Sequence, residues 1–423
     1  IDLCCQGTDI GFLAVVLNEH HPDLPFVIGN GENRQLHVAG RTCTLHGHAC
    51  HIPFYTKLQN GKAGVIGHGD RHSDHIVVFD QLIQLDRNVP YNNIAGIVGE
   101  LLCICPVRYL RCIPACLCQC RNSFGSARIE SIDGEAIRKL FNDYDVLVIA
   151  GFQGKTADGR ITTLGRGGSD TSAVAIAAVL DSCECEIYTD VDGVYTTDPN
   201  VCKSARKIDK ISYDEMLEMA SMGAKVLHIR SVEFAKKYKV PVYVRSTFTD
   251  DPGTLVTQED STMEALLVSG IAFDKDQARV TMHGMPDKPG VAASLFGAIS
   301  EAGILVDMIV QNTSNDGHTD MTFTISKKDL KKTLEVCSTV SKKYGDCDIT
   351  YSTNVAKISC IGVGMRNHTG VAARAFSALT KEGINILMIS TSEIKITILI
   401  DEKYLELAVR ILHDTFGLDW DIN

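Results

Sequence analysis

The chain has 423 residues, enough for two or three domains each with its own core. Its 41 Lys and Arg against 52 Asp and Glu give a net charge of −11, which argues against nucleic acid and anionic membrane as main partners. No apolar run approaches the ~18 residues of a membrane span. Asp2 and Asp9 stand where a secretion signal has its basic lead, so a cytoplasmic α/β protein is expected.

Residues 1–122 form a separate compositional population. They hold ten of the 16 cysteines and nine of the 14 histidines, but only two lysines (Lys57 and Lys62) and no methionine, the first of which is Met216. Three readings compete for this stretch. Cys43, His46, His48, Cys50 and His51, or the run Cys112, Cys116, Cys118 and Cys120, would supply metal ligands, although neither has paired C-x-x-C spacing. A disulfide framework would suit an oxidising compartment, for which nothing else in the sequence argues. The third reading is that these residues do not represent the native protein, for instance through a reading-frame or sequencing error, and the short, erratic periodicity and abrupt change at about Ser123 favour it. Peptide mapping that returned these residues would exclude a frame shift.

From about residue 126 the pattern is regular. Glu130–Leu140, continuing into Phe141, predicts a helix with Ile137, Leu140 and Phe141 on one inward face. Tyr144–Ala150 is short, apolar and β-branched, as a buried strand is. Gly151-Phe-Gln-Gly154 follows, then an exposed turn over Lys155–Gly159. Next comes Ile161-Thr-Thr-Leu-Gly-Arg-Gly-Gly-Ser-Asp-Thr-Ser172, in which Gly165, Gly167 and Gly168 flank Arg166. Ala173–Leu180 predicts a small-residue helix for which Ser169, Asp170 and Thr171 offer N-caps. Glycines allow close backbone approach, free N–H groups at a helix start favour an anion, and arginine presents a planar fork to a carboxylate or phosphate. A tight turn with an N-cap would explain a lone Gly-x-Gly-Gly. Arg, Ser and Asp in the same loop favour an anion site.

Cys185–Asp190 predicts a second buried strand, running into Val191–Pro199. Asp192-Gly193 alone would suit a hairpin turn. Thr189 and Asp190 at a strand end, with Tyr195 to cover a base, suit a nucleotide edge, because ligands gather at the carboxyl ends of strands in open α/β sheets. Ser212-Tyr-Asp-Glu215 has capping-box spacing and opens a helix whose Met216 and Met219 are expected in the core. Ala224–Arg230 predicts another helix with Lys225 in its first turn. That position is ordinarily solvated, but beside a phosphate site it supplies a point charge. Val240–Ser246 is strand-like, and the polar run Thr247–Met263 predicts a linker.

The last third repeats with a period of 80 residues. Gly290-Val-Ala-Ala293 recurs as Gly370-Val-Ala-Ala373, Phe296 as Phe376, Gly303-Ile304 as Gly383-Ile384, and Met308-Ile309 as Met388-Ile389. Each copy predicts strand, turn, helix and strand, then a further helix and strand. Two small α+β modules of one kind result, each feeding a loop into a helix N-terminus.

Gly151–Gly154, Thr162–Asp170, Tyr188–Pro199, Gly223–His228, Val240–Ser246 and the two repeats, in that order, resemble the aspartokinases within the amino-acid-kinase family. The resemblance covers about residues 123–420. It implies a three-layer αβα amino-acid-kinase domain over residues 1–255, of which 1–122 lack the family's motifs. Two α+β, ferredoxin-like ACT modules would follow over 263–345 and 346–423. The implied reaction moves the γ-phosphoryl group of ATP to the side-chain carboxylate of L-aspartate, with Mg²⁺ accompanying the nucleotide and no metal site built from the protein alone. Arg166, Asp170 and Lys225 are then the catalytic set. Arg166, Gly167, Gly168 and Ser169 line the aspartate and phosphate region, while Thr189, Asp190, Tyr195, Asp198 and Lys225 lie along the nucleotide. A carboxylate of pKa ~3.9 is ionised at pH 7, so this chemistry asks for alignment and neutralisation rather than a strong base.

The ACT modules imply lysine and/or threonine as effectors and a homo-oligomer formed through them. Asp287, Gly290, Val291, Asp307, Gln311 and Asn312 would meet the effector in the first module, with Thr391, Ser392 and Glu393 in the second. Two family signatures, Lys-Phe-Gly-Gly-Thr-Ser and Ser-Thr-Gly-Glu, are absent from residues 1–122. Their loss motivates a second reading, a catalytically inactive ACT-containing amino-acid sensor. The polar positions from Gly151 onward, which packing alone would not require, favour the enzyme.

Overall fold

The computed structural model describes residues 127–423 except 143–145, 182–183, 223–225, 261–262, 264–265, 313–316, 346 and 420–423; before residue 127 it describes only the backbone of seven short strands. The metal-ligand and disulfide readings of residues 1–122 lie outside the described residues, with Cys112, Cys118 and Cys120 described in backbone alone. Residues 1–195, 207–221 and 225–263 form one compact unit, and 196–206, 222–224 and 264–423 a second.

The first unit is built on an eight-stranded mixed sheet. Its order is Lys210–Ser212, Thr254–Thr257, Val242–Ser246, Glu184–Thr189, His75–Phe79, Leu13–Leu17, Val146–Ala150 and Leu110–Ile113. Glu184–Thr189 lies parallel to both neighbours, which puts its carboxyl end beside that of Val242–Ser246. Among the described residues, four helices belong to this unit: α1 (Gly134–Leu140), α2 (Gly168–Leu180), α3 (Tyr213–Ser221) and α4 (Ile229–Tyr238). Helix α2 is buried on nearly all sides. Only Ala178 and Val179 among its residues are not fully buried, and its run of Ala, Ser, Thr and Gly lets neighbours close in.

Several local expectations hold. Ser212 and Glu215 form the capping box: Ser212 Oγ accepts from the Glu215 amide at 3.2 Å, and Glu215 Oε2 accepts from the Ser212 amide at 3.1 Å. Met216 and Met219 are in the core. Other boundaries move. The helix expected from Glu130 begins at Gly134, because Asp133 Oδ1 accepts from the Ala136 amide at 2.9 Å, while Arg128–Ile132 pairs as a strand with Cys118–Arg121. Ser169, Asp170 and Thr171 are not caps but residues of the first turn of α2, whose N-cap is Gly167. Thr247–Met263 is more than a linker, since Thr254–Thr257 adds to the sheet between Val242–Ser246 and Lys210–Ser212.

The second unit contains one six-stranded antiparallel sheet in the order Val306–Gln311, His318–Ile325, Gly270–Pro286, Ile349–Ile361, Lys395–Asp401 and Ile386–Thr391. Helices α5 (Val291–Glu301), α6 (Leu330–Ser341), α7 (Val371–Lys381) and α8 (Leu405–Thr415) accompany it. The repeat is visible in the backbone. Gly290 and Gly370 are the N-caps of α5 and α7, at φ 96° and 92°. The order within each module differs from the expected one: helix, strand, strand, helix follow the opening strand. The strands His318–Ile325 and Lys395–Asp401 pair back on their predecessors before the second helix begins.

The two modules are interleaved at the sheet centre. Ile271 packs with Ile358, Ile398, Leu379 and Leu412, whereas Val280 and Met282 of the same strand pack with Leu295, Phe323 and Val340. One long strand therefore serves two cores, each side chain contributing about 1.5–3 kcal/mol by burial. Among the described residues no helix is long and apolar enough to cross a membrane.

Candidate functional site

The glycine-rich loop connects strand Ile161–Thr163 to α2. Gly167 has φ +65°, the left-handed region that favours glycine, and caps the helix without a side-chain bond. A Cβ there would fall 2.2 Å from His228 Cβ and 2.3 Å from its Cγ. Gly168 is equally confined, by Leu164 Cβ at 2.8 Å and the Phe152 ring at 3.0 Å. Phe152 itself has φ 64°, and its amide donates to Ser172 Oγ at 3.1 Å. That hydroxyl in turn donates to the Gly168 carbonyl at 2.8 Å, and Thr171 Oγ1 does the same to Gly167. The loop is thus fastened from inside the helix it opens.

Within this fastening, Ser169 is buried and its Oγ has no hydrogen-bond partner among the described residues. Asp170 is buried beside it, and Arg166 is exposed. A hydroxyl left unpaired in the interior costs about 1–3 kcal/mol unless a ligand or water completes it. It lies in the first turn of a 13-residue helix, where free amides and the helix dipole also favour an anion. Gly167, Gly168 and Ser169 thus adjoin Arg166 at the start of this helix.

Helix α4 braces the same loop from outside. The helix expected to start at Ala224 starts at Ile229, because His228 is extended (φ −79°, ψ 139°) and its Nδ1 accepts from the Arg230 amide at 3.3 Å. Arg230 reaches back across the fold, donating from Nη1 to the Leu164 carbonyl at 2.6 Å and from Nη2 to the Ala127 carbonyl at 2.9 Å. Burial, then the positive charges of Arg230 and Arg166, holds the His228 pKa below its usual value. Lys225 lies outside the described residues.

At the carboxyl end of the central strand, Thr189 is buried and its Oγ1 donates to Asp190 Oδ1 at 3.2 Å, while Asp190 is exposed. The Thr189 carbonyl accepts from Thr247 N at 2.9 Å and from Thr247 Oγ1 at 3.0 Å, joining this end to the neighbouring strand's. Tyr195 is half-buried and donates its hydroxyl to Asp192 at 3.0 Å. Burial and that carboxylate raise its pKa. Asp192-Gly193 is thus part of a strand-end loop rather than a hairpin turn. Asp198 belongs to the segment 196–206 of the second unit, where its Oδ1 accepts from the Asn200 amide at 2.8 Å.

In the second unit, Asp287 N donates to Gly317 O at 2.9 Å, and Thr319 Oγ1 donates to Asn312 O. Asp287, Gln311 and Asn312 are therefore at one end of the first module, near the N-cap Gly290. Val291 is buried under that loop. Asp307 pairs with Lys357, whose side chain is 4% exposed. In the second module Thr391 ends its strand, Ser392 N donates to Lys395 O at 2.8 Å, and Glu393 lies 3.6 Å from Arg366.

Sequence reasoning missed His228 and Arg230 as site elements, and also the pair Arg245–Glu186 at 3.1 Å, whose Glu186 accepts from buried Tyr188 at 3.0 Å. A charged residue on each of two adjacent strands was the available signal for that pair.

Comparison with known proteins decides the family. The amino acid kinase family profile matches residues 94–246, and the ACT domain profile matches 280–340 and 358–416. The aspartate kinase Ask_LysC of Stutzerimonas stutzeri (strain A1501) is 55% identical over 294 residues, 69% of this chain and 71% of that protein. The chain belongs to the aspartokinase family. Among solved structures, E. coli aspartokinase III in complex with aspartate and ADP (R-state) superposes with a TM-score of 0.60 at 29% identity, covering 76% of this chain and 72% of that one. The same enzyme in complex with lysine and aspartate (T-state) gives 0.58 at 30% identity, covering 73% and 69%. Membership gives a kinase domain of this fold followed by paired ACT modules.

Proposed function

We propose that this chain transfers the γ-phosphoryl group of ATP to the β-carboxylate of L-aspartate and is inhibited by lysine and/or threonine at its ACT modules. The buried Ser169 Oγ at the start of α2, beside Arg166 and without a partner among the described residues, carries the reading. Its unmet hydrogen-bonding capacity suits an anionic ligand. The aspartate and ADP bound to E. coli aspartokinase III, and lysine in its T-state, support the choice of ligands.

The chemistry follows from alignment. The aspartate side chain is ionised at pH 7 and attacks the γ-phosphorus; the bond to the β,γ-bridging oxygen breaks and ADP leaves. Arg166 holds a substrate carboxylate with its planar fork. The first-turn amides and Ser169 Oγ donate to the oxygens that gain charge. Asp170 lies in this same turn, and Lys225 supplies a further positive charge to the phosphates. Thr189, Asp190 and Tyr195 line the nucleotide at the strand end. Mg²⁺ that accompanies a nucleotide is held largely by phosphate oxygens and water. Asp170 and Asp190 are the carboxylates at hand to hold that hydration shell. When bound, Mg²⁺ neutralises charge on the transferring group.

In the second unit, Asp287, Gln311, Asn312 and the amides near Gly290 and Val291 suit an amino acid's ammonium and carboxylate. Asp307, Thr391, Ser392 and Glu393 complete the proposed effector set. A homo-oligomer through the ACT sheets fits the outermost strands, which carry Ile309 at 52% and Ile389 at 41% exposure. A cytoplasmic location is proposed with this chemistry.

The test is ATP- and aspartate-dependent acyl phosphate, trapped as a hydroxamate. Replacing Arg166 with alanine should lower it by ~10²-fold or more; unchanged turnover would refute the site. The sensor reading rests on the two absent signatures, and it predicts effector binding with no hydroxamate at all.

A further inference from the structure

Two residues of one helix start grip the glycine-rich loop on either side of Arg166. Arg230 holds the Leu164 carbonyl at 2.6 Å, just before Gly165. His228 lies against Gly167, just after Arg166, so closely that a methyl group on that glycine would come within 2.8 Å of its ring Cδ2. His228 is itself fixed. Its carbonyl accepts from Ser231 N at 3.0 Å and from Ser231 Oγ at 2.7 Å, and its Nδ1 accepts the Arg230 amide. An accepting Nδ1 places the proton of the neutral ring on Nε2.

We propose that His228 is a positioning residue for phosphoryl transfer: its uncharged imidazole, docked on Gly167 and capping α4, sets where Arg166 meets the substrate carboxylate. The role rests on the aspartate kinase reading above. It has a consequence that a mere helix cap lacks. Protonation at Nδ1 destroys the acceptor for the Arg230 amide, so the α4 start and the loop it braces separate. It also adds a positive charge beside Arg166 and Arg230, whose mutual repulsion strains the packed loop; among the described residues Glu233 is the anion acting on this ring. Because the lost brace misplaces Arg166, aspartate binding should weaken on the acid side, through a group that is neither substrate nor nucleotide ligand.

Three variants and one titration test this. His228→Ala removes ring and cap, and is expected to lower kcat/KM for aspartate by on the order of 10- to 100-fold, mainly through KM. His228→Asn keeps an acceptor near the Nδ1 position but does not titrate. It is expected to restore KM at neutral pH and to abolish the acid-side rise in KM of the wild type. If His228→Asn keeps the wild-type acid limb, or if His228→Ala only lowers the melting temperature, the proposal is overturned. A wild-type chain without hydroxamate formation would instead sink the aspartate kinase reading. A nitrogen-15 NMR titration of His228 tests the placement without turnover. Replacing Arg166 with alanine should raise the pH at which His228 titrates, and no movement would overturn the proposal.

Discussion

Gly167 is the position at which the anion loop is most open to test. Alanine there meets two separate penalties. The left-handed backbone, φ +65°, costs about 1–2 kcal/mol for a residue with a Cβ. The new methyl would also sit 2.2 Å from His228 Cβ, a contact no rotamer change of the imidazole relieves, because Cβ does not move with χ1. Overpacking of this kind costs about 1–3 kcal/mol more. Gly159→Ala is the control. It has φ +90° on an exposed turn, with Lys155 Cε the nearest atom at 3.6 Å, so it meets the backbone penalty alone. At about 2–4 °C per kcal/mol for a unit of this size, Gly159→Ala should lower the melting temperature by about 2–8 °C and leave hydroxamate formation unchanged. Gly167→Ala should fall further and lose about 100-fold in kcat/KM, the cost of an ångström's misplacement at a reacting centre. Equal melting of the two variants, with Gly167→Ala fully active, would refute the close packing of loop on α4.

Other consequences lie in the second unit. Asp307→Asn removes one ion-pair partner of Lys357, which is almost wholly buried, and should destabilise by about 1–2 kcal/mol in urea, a figure discounted because Asp307 is 46% exposed. If Asp307 served only the effector, feedback would weaken at an unchanged urea midpoint. His413 is fully buried, bonds through Nε2 to Thr196 Oγ1 at 2.9 Å, and burial holds its pKa below the usual 6.5. The folded state then binds fewer protons than the unfolded one between the folded pKa and 6.5. Its contribution to stability is present above pH ~6.5 and is lost as the pH falls. Melting curves at pH 7.5 and 5.5 should show this loss, and His413→Asn should flatten it; an unchanged slope would refute the assignment.

Local chemistry was legible in the sequence and long-range pairing was not. The Ser212–Glu215 box needs only four residues, and it forms as expected. The 80-residue repeat was legible because both modules need a left-handed glycine at the same turn, Gly290 and Gly370. Thr254–Thr257 was masked by the turn signals of Asp250-Asp-Pro-Gly253. Its strand character comes from Lys210–Ser212 and Val242–Ser246, neighbours in space rather than in sequence. The order of strands and helices in the ACT modules failed for a related reason. His318–Ile325 and Lys395–Asp401 are central to their sheet, and burial on that sheet outweighs local periodicity.

The site divides along the same line. Gly165–Ser172 announces an anion loop through composition, yet nothing in those residues says how the loop is kept open. Ser169 and Asp170 fit the sequence pattern of caps, but in the fold they are swallowed into the first turn, and Gly167 takes the cap position with no side chain to stabilise it. The stabilisation comes from elsewhere. Arg230 holds the chain 66 residues upstream at Leu164 and 103 residues upstream at Ala127. That bond pulls the α4 start to Ile229 and brings His228 onto Gly167. A glycine at 167 therefore answers two demands at once, a left-handed turn and room for an imidazole. Only the first can be read from a motif, because the second belongs to a helix that begins more than 60 residues later.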